Sequence, residues 1–246
     1  MIKALGRLAA IVFVALLGLG LPYAGAMVAA TLNHHWPAIF PPPSNDVSWL
    51  YSQHFFQTAW ALVVIVVIRL VYRFDAGLRW PKEKTYIWSA ILWGAFFGVL
   101  MTVVDFLPDL LARHPMDLGF PITRSNVIGW TLFEGIYVGP TEEILFRSLC
   151  VGFLMAAMPA KVTVGRYSMS WAGVIVAAIF AFAHIASFFT KPSFAAAGQQ
   201  LYAFALGILY AYWFEKSRSV VAPIIGHNVS DVVEYAICFA LIALWS

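Results

Sequence analysis

Seven apolar segments recur along the chain, each near the length of about 20 residues that an α-helix needs to cross a bilayer. They lie at about residues 8–31, 55–72, 86–106, 126–158, 168–189, 199–214 and 220–245. Hydrophobic residues make up 62% of the 246 residues and charged residues 11%, against roughly 45–50% and 25% in a soluble domain. The pattern predicts an all-α, polytopic membrane bundle of about seven transmembrane helices. We expect one integral membrane domain over residues 1–246, with no soluble domain and no nucleic-acid partner.

The basic residues predict the orientation of the bundle. With a cytoplasmic N-terminus, eleven Lys and Arg residues fall in cytoplasmic segments and three on the opposite side. The eleven are Lys3, Arg7, Arg69, Arg73, Arg79, Lys82, Lys84, Lys161, Arg166, Lys216 and Arg218, and the three are Arg113, Arg124 and Lys191. Basic residues concentrate on the cytoplasmic side of membrane proteins, so this asymmetry predicts that the N-terminus is cytoplasmic and the C-terminus is not.

Four further features of the sequence have simple interpretations. The N-terminus also resembles a signal peptide, with two basic residues (Lys3 and Arg7), an apolar run and the small residues Ala24-Gly25-Ala26. Because the apolar run continues past these small residues, we expect the first helix to be retained. The Pro-rich stretch 41–46 predicts a loop, and the outer segment Asn33–His54 either guides a peptide or forms an interfacial aromatic belt. Cys150 and Cys238 have no partner motif and are expected to be buried thiols.

Several ionisable residues lie inside the apolar segments, where an unpaired charge is costly and usually has a partner or a task. They comprise five of the twelve acidic residues and two of the six histidines: Glu134, Glu142, Glu143, Asp231, Glu234, His184 and His227. They concentrate on three segments, which predicts a polar site assembled within the membrane.

Helix geometry divides the adjacent glutamates between two roles. Glu143 and Arg147 are four residues apart on one helical face, so we interpret them as a structural brace. Glu142 points about 100° away, which leaves it as the free carboxylate. His227 and Asp231 also share a face.

The other intramembrane polar residues have mainly structural interpretations. Glu134 and Glu234 are expected to be brace or interface residues, and Asn228 and Ser230 to serve helix packing. His184, taken alone, reads as a hydrogen-bond link between helices. Taken together, a free carboxylate and two histidines on separate segments are the usual groups of a site that activates water.

The three clusters, in their order, resemble the signature of the CPBP family of intramembrane proteases. That family includes CAAX-processing endopeptidases and bacterial proteins once grouped as abortive-infection or bacteriocin-processing proteins. The family pattern is EExxxR, FxxxH and HxxxN or HxxxD. It is matched here by Glu142–Arg147, Phe180–His184 and His227–Asp231. The resemblance covers about residues 126–245, the expected catalytic core.

The resemblance implies peptide-bond hydrolysis in a cavity lined by membrane helices. It assigns Glu142 and His184 to water activation, and His227 and Asp231 to the site that stabilises the oxyanion. Asp231 replaces the Asn form, and an ionised Asp repels an oxyanion. Asp231 is therefore either protonated or it orients His227.

A zinc site made of Glu142, His184, His227 and Asp231 is a further option, because two His and carboxylates can hold Zn²⁺. The chain has no HExxH motif, and we favour a metal-free glutamic mechanism without a cofactor.

Two other function classes stay open. One is a non-catalytic membrane module, such as an immunity or scaffold protein of the same fold, which the Asp231 departure keeps open. The other is a proton-coupled transporter, although no internal repeat supports it. The enzyme hypothesis implies a membrane-embedded or membrane-associated peptide or protein as substrate, and the compact chain suggests a bacterial inner membrane. The oligomeric state is not predicted.

Overall fold

The computed structural model describes residues 2–39, 47–191 and 193–246. Within these ranges the chain is a bundle of long helices with short connections. The long helices are α1 (Ile2–His35), α2 (Ser48–Val71), α3 (Thr85–Asp105), α8 (Trp171–Ala183, continued by a 3-10 helix over Ile185–Phe189), α9 (Ser193–Ser217) and α10 (Val221–Trp245). A short helix α4 (Leu107–Ala112) follows α3. The predicted Pro-rich loop 41–46 lies outside the described residues.

Among the described residues, six helices are long and apolar enough to cross a membrane, which confirms an all-α polytopic bundle. The fourth predicted segment, 126–158, is an interrupted helical run instead of one regular helix. It comprises α5 (Arg124–Leu132), a π-helix (Phe133–Tyr137), α6 (Val138–Glu143), a second π-helix (Ile144–Val151) and α7 (Gly152–Ala157). Pro140, which lacks a backbone N–H, lies just after the first π-helix, and such interruptions are common at functional sites.

The fifth predicted segment begins later than the apolar pattern suggested. Residues Lys161–Val164 (β1) and Tyr167–Ser170 (β2) form an antiparallel hairpin in which Val164 pairs with Tyr167. Gly165 turns the hairpin with φ of +58°, a conformation that favours glycine. Ser170 then caps α8, its hydroxyl accepting the backbone N–H of Gly173 at 3.0 Å.

Both ends of the outer segment Asn33–His54 belong to helices, and residues 40–46 lie outside the described residues. Helix α1 continues to His35 and α2 begins at Ser48, so His54 lies nearly two turns inside a membrane helix. The apolar pattern placed the start of this helix too late, at residue 55, because the first residues of α2 include polar side chains.

Close helix packing depends on small residues, as is usual within membranes. On α3, a Cβ atom at Gly94 would lie 2.7 Å from the Gly226 carbonyl oxygen, and one at Gly98 would lie 2.5 Å from that of Ser230. Helices α3 and α10 can approach this closely only because both α3 positions are glycine. Large apolar side chains such as Leu70 and Leu92 are exposed on the outside of the bundle, where lipid would cover them. Both cysteines are free and buried.

Candidate active site

A cavity of about 870 Å³ lies between the helices and is lined by residues from α2, α3, α6, α8, α9 and α10. Glu142, His184, His227 and Asp231 all line it, although they come from three separate parts of the sequence. The walls also include residues of α2 and α3, outside the catalytic core that the sequence predicts. The helical bundle therefore brings the four predicted site residues to one cavity.

His227 on α10 is surrounded by three carboxylates. Its Nδ1 atom lies 2.8 Å from Oε1 of Glu143, and its Nε2 atom lies 3.2 Å from Oδ2 of Asp231. The same Nε2 atom is 3.9 Å from Oε2 of Glu142. His227 and Asp231 meet because residues four apart share a helical face. The contact with Glu143 depends on tertiary packing, because 84 residues separate the two.

Glu143 also contacts Arg147, so one buried carboxylate has two cationic or hydrogen-bonding partners. Arg147 Nε lies 3.1 Å from Oε2 of Glu143, and both side chains are fully buried. The guanidinium lies over the Phe180 ring at 4.7 Å and the Tyr210 ring at 5.1 Å, distances typical of cation–π contacts. The contact expected between Glu143 and Arg147 is present, and the other oxygen of Glu143 contacts His227.

Tyr210 on α9 fixes the ring of His227 from one side. The two rings are stacked with centroids 5.5 Å apart and an interplanar angle of 18°. The Tyr210 hydroxyl lies 3.2 Å from Oγ of Ser230, which in turn donates to the His227 carbonyl at 2.7 Å. A second link from α10 comes from Asn228, whose Oδ1 accepts the Gly139 backbone N–H at 2.8 Å.

His184 lies at the C-terminal end of α8. Its Nδ1–H donates to the Phe180 carbonyl at 2.9 Å, which leaves Nε2 as the nitrogen with a free lone pair in the neutral ring. The Phe180 ring contacts both His184 and His227, with centroid distances of 5.0 Å and 6.1 Å. His184 and Glu142 line the same cavity, so histidines from two different helices share it with this carboxylate.

A third histidine, His54 on α2, lines the same cavity and was not predicted. Its side chain is 7% exposed, and its Nδ1 lies 2.8 Å from the hydroxyl of Thr141. That hydroxyl donates to the Val138 carbonyl, so it accepts the proton of His54 Nδ1. Nothing in the three motifs indicates His54. The one available signal was a histidine next to the start of an apolar segment.

Glu134 and Glu234, which we expected to be brace or interface residues, line the cavity together with Asp231. No ion pair to either residue is formed within the ranges that the structure describes. Nearer the outer ends of the helices, Asp105 pairs with Lys191 and accepts a hydrogen bond from Tyr202 at 3.2 Å. Carboxylates therefore outnumber cations along the cavity walls.

The donor set does not fit a metal ion. Among residues 2–39, 47–191 and 193–246, no group of three or more His, Cys, Asp or Glu side chains is arranged around one point. Both nitrogens of His227 already face carboxylates. A zinc ion on Glu142, His184, His227 and Asp231 would need a different arrangement, so we derive no step through a metal.

Residues 124–233 match the family model of type II CAAX prenyl endopeptidase Rce1-like proteins. The match spans somewhat less than half of the 246 residues and contains all three motifs. It confirms the family resemblance predicted from those motifs. No curated protein and no solved structure matches the chain.

Proposed function

We propose that this protein, which carries the Rce1-like family region at residues 124–233, is an intramembrane endopeptidase. The observation that carries the proposal is the position of His227, between Glu143, Asp231 and Glu142 on the wall of a cavity inside the bundle. The polar cluster is larger than helix packing alone requires. Its groups are those that peptide hydrolysis uses: a base, an imidazole with a fixed orientation and a substrate cavity.

Glu142 acts as the general base in this proposal. Its carboxylate takes a proton from water while the water oxygen bonds to the carbonyl carbon of the substrate. His184, through its free Nε2, orients that water. When the C–N bond breaks, Glu142 returns the proton to the leaving amine, so the residues end in their starting states.

His227 stabilises the negative charge that develops on the carbonyl oxygen. Glu143 accepts Nδ1–H, and Nε2–H, which Asp231 orients at 3.2 Å, is the donor that the substrate oxygen shares in the cavity. Asp231 positions this donor and is not itself the oxyanion donor. This assignment accounts for Asp in place of Asn, because an Asp beside imidazolium needs no proton of its own.

Comparing protein N-termini in cells that express the wild type or Glu142→Gln tests the proposal. The near-isosteric substitution removes the base, so N-termini created by the wild type should be lost while the variant accumulates in the membrane normally. Equal sets of N-termini would contradict the enzyme hypothesis. Full biological complementation by Glu142→Ala/His184→Ala would instead favour a non-catalytic membrane module.

A further inference from the structure

The bundle has one strongly basic end. Three connections meet there: 72–84, 158–170 and 217–220. Arg79 Nε donates to the Arg218 carbonyl at 2.9 Å, and the Val220 N–H donates to Gly77 at 3.0 Å. The third connection joins this end through Ser170, whose backbone N–H lies 2.9 Å from the carboxylate of Glu215 on α9.

These connections and the adjoining helix ends hold nine Lys and Arg residues: Arg69, Arg73, Arg79, Lys82, Lys84, Lys161, Arg166, Lys216 and Arg218. Among the described residues, the basic end also holds Asp75, Glu83 and Glu215, whereas the opposite end holds Arg113, Arg124 and Lys191 together with Asp105, Asp109 and Asp117. By the positive-inside rule the basic end faces the cytoplasm.

The cavity reaches the surface at the other end. Its lining runs from Glu142 and His227 to the exposed residues His114 and Asp117, which follow α4. The lining contains no described residue of the three basic connections. The Asp105–Lys191 pair, which joins the end of α3 to the turn before α9, lies along the same wall.

We propose that substrate enters from the non-cytoplasmic face, so that the enzyme cleaves membrane-associated polypeptides whose scissile segment is on that side. This inference rests on the proposed function and names its substrate class. The carboxylates at the mouth of the path, Asp109 and Asp117, favour a segment that carries basic residues. Cytoplasmic lipidated tails, in contrast, would meet the basic end, where a separate cavity of about 310 Å³ is lined by Lys161, Lys216 and Arg218 and by none of the four predicted site residues.

Cysteine labelling of the full-length protein tests the direction of access without requiring catalysis. In a Cys150→Ala/Cys238→Ala background, single cysteines replace Asp117 at the mouth, Glu234 inside the cavity and Lys82 at the basic end. A membrane-impermeant thiol reagent should modify Asp117→Cys and Glu234→Cys in intact cells, and Lys82→Cys only after permeabilisation. Labelling of Asp117→Cys or Glu234→Cys only from the cytoplasmic side would overturn the inference.

Two further measurements sharpen this test. A cationic thiosulfonate should modify Glu234→Cys faster than an anionic one of similar size, and equal rates would argue against an acidic path. The N-termini that depend on Glu142 should map to non-cytoplasmic segments of membrane proteins, and cytoplasmic positions would overturn the inference. If no such N-termini exist, the proposed function fails, whereas the labelling result still reports the access side.

A different observation, the contact between His54 and Thr141, carries a second inference. The Thr141 hydroxyl accepts a hydrogen bond from Nδ1–H of His54, so Nε2 of the neutral ring carries a free lone pair. Within the described part of the chain, Nε2 makes no hydrogen bond. Glu142, which follows Thr141 on α6, and His227 on α10 line the same cavity as His54. Phe133 packs edge-on against the ring at 5.1 Å and restricts its rotation.

We infer that His54 is a positioning residue for Glu142, accepting a hydrogen bond from the protonated carboxyl group through cavity water after Glu142 has taken the proton. Loss of one such hydrogen bond should lower turnover by about two- to tenfold. His54 lies outside the region that matches the family model, so it would be a feature of this chain's own cavity.

The test uses a synthetic peptide that spans a Glu142-dependent cleavage site and compares His54→Gln with Gln57→Leu. Gln57 is buried on the same helix and donates to the Thr141 carbonyl at 3.4 Å, but it does not line the cavity. His54→Gln should lower kcat and remove one ionisation from the pH profile, and Thr141→Val should alter the same ionisation. A wild-type profile and turnover in His54→Gln, or the same change in Gln57→Leu, would overturn the inference.

Discussion

Glu143 holds His227 through a 2.8 Å contact between Oε1 and Nδ1, with the two side chains 0% and 8% exposed. The other oxygen of Glu143 faces Arg147. The buried guanidinium of Arg147, the carboxylate of Glu143 and the imidazole of His227 therefore form a continuous row of contacts that ends at the cavity wall. Stability and site geometry depend on the same three side chains.

Removing Arg147 should be costly because it leaves the Glu143 carboxylate without its cation. Arg147→Met is expected to lower the free energy of unfolding by about 3–5 kcal/mol, as for other broken buried pairs. The double variant Glu143→Gln/Arg147→Met should recover part of that loss, since the unpaired charge is gone. Unfolding in detergent micelles measures both values. Arg79→Met, at an exposed pair with Asp75, is the control and should cost about 1 kcal/mol or less.

Asp231 should tolerate an amide better than an apolar side chain. Asp231→Asn still offers an oxygen to His227 Nε2 and loses only the charge, so turnover of a cleaved peptide should fall by about tenfold or less. Asp231→Leu removes the contact and should reduce turnover by about 10²-fold or more, with a smaller change in KM than in kcat. If Asp231→Leu keeps wild-type turnover, Asp231 does not position His227.

We expect the orientation of His227 to depend on stacking with the Tyr210 ring more than on the Tyr210 hydroxyl. Tyr210→Phe keeps the stacked face and loses only the contact with Ser230, so we expect nearly unchanged turnover. Tyr210→Leu removes the stacking and one of the aromatic faces around Arg147, so both turnover and thermal stability should fall. Equal effects of the two substitutions on turnover would instead assign the role to the hydroxyl.

Local spacing predicted the parts of the site that lie within one helix. The pairs Glu143–Arg147 and His227–Asp231 follow from positions four apart, because helical geometry alone brings such side chains together. The long-range contacts have no such signal. Glu143 meets His227 across 84 residues and His54 meets Thr141 across 87, and only the packing of separate helices creates these contacts.

Element boundaries were hardest to predict where residue chemistry is ambiguous. The β-hairpin strand Tyr167–Ser170 is partly apolar and read as the start of a helix, whereas Ser48 and His54 read as loop although they belong to α2. The two π-helices in the run 124–157 were not predicted, because a widened turn leaves the apolar pattern unchanged. The motifs still lie on membrane helices or at their ends, so these shifts leave the three clusters in one cavity.

Gly98 should affect the positions of His227 and Asp231 although it lies outside the cavity, because its lack of a side chain allows α3 to lie close to α10. A Cβ atom there would lie 2.5 Å from the Ser230 carbonyl and 2.7 Å from Val233 Cβ, both on the helix that carries His227 and Asp231. Gly98→Val should therefore displace α10 and lower both thermal stability and turnover, although position 98 does not line the cavity. Gly20→Val on α1 is the matched control, since a Cβ there meets nothing within 4 Å. Melting temperature and peptide turnover measure the pair. If both substitutions have equal effects, the close α3–α10 contact does not position the site.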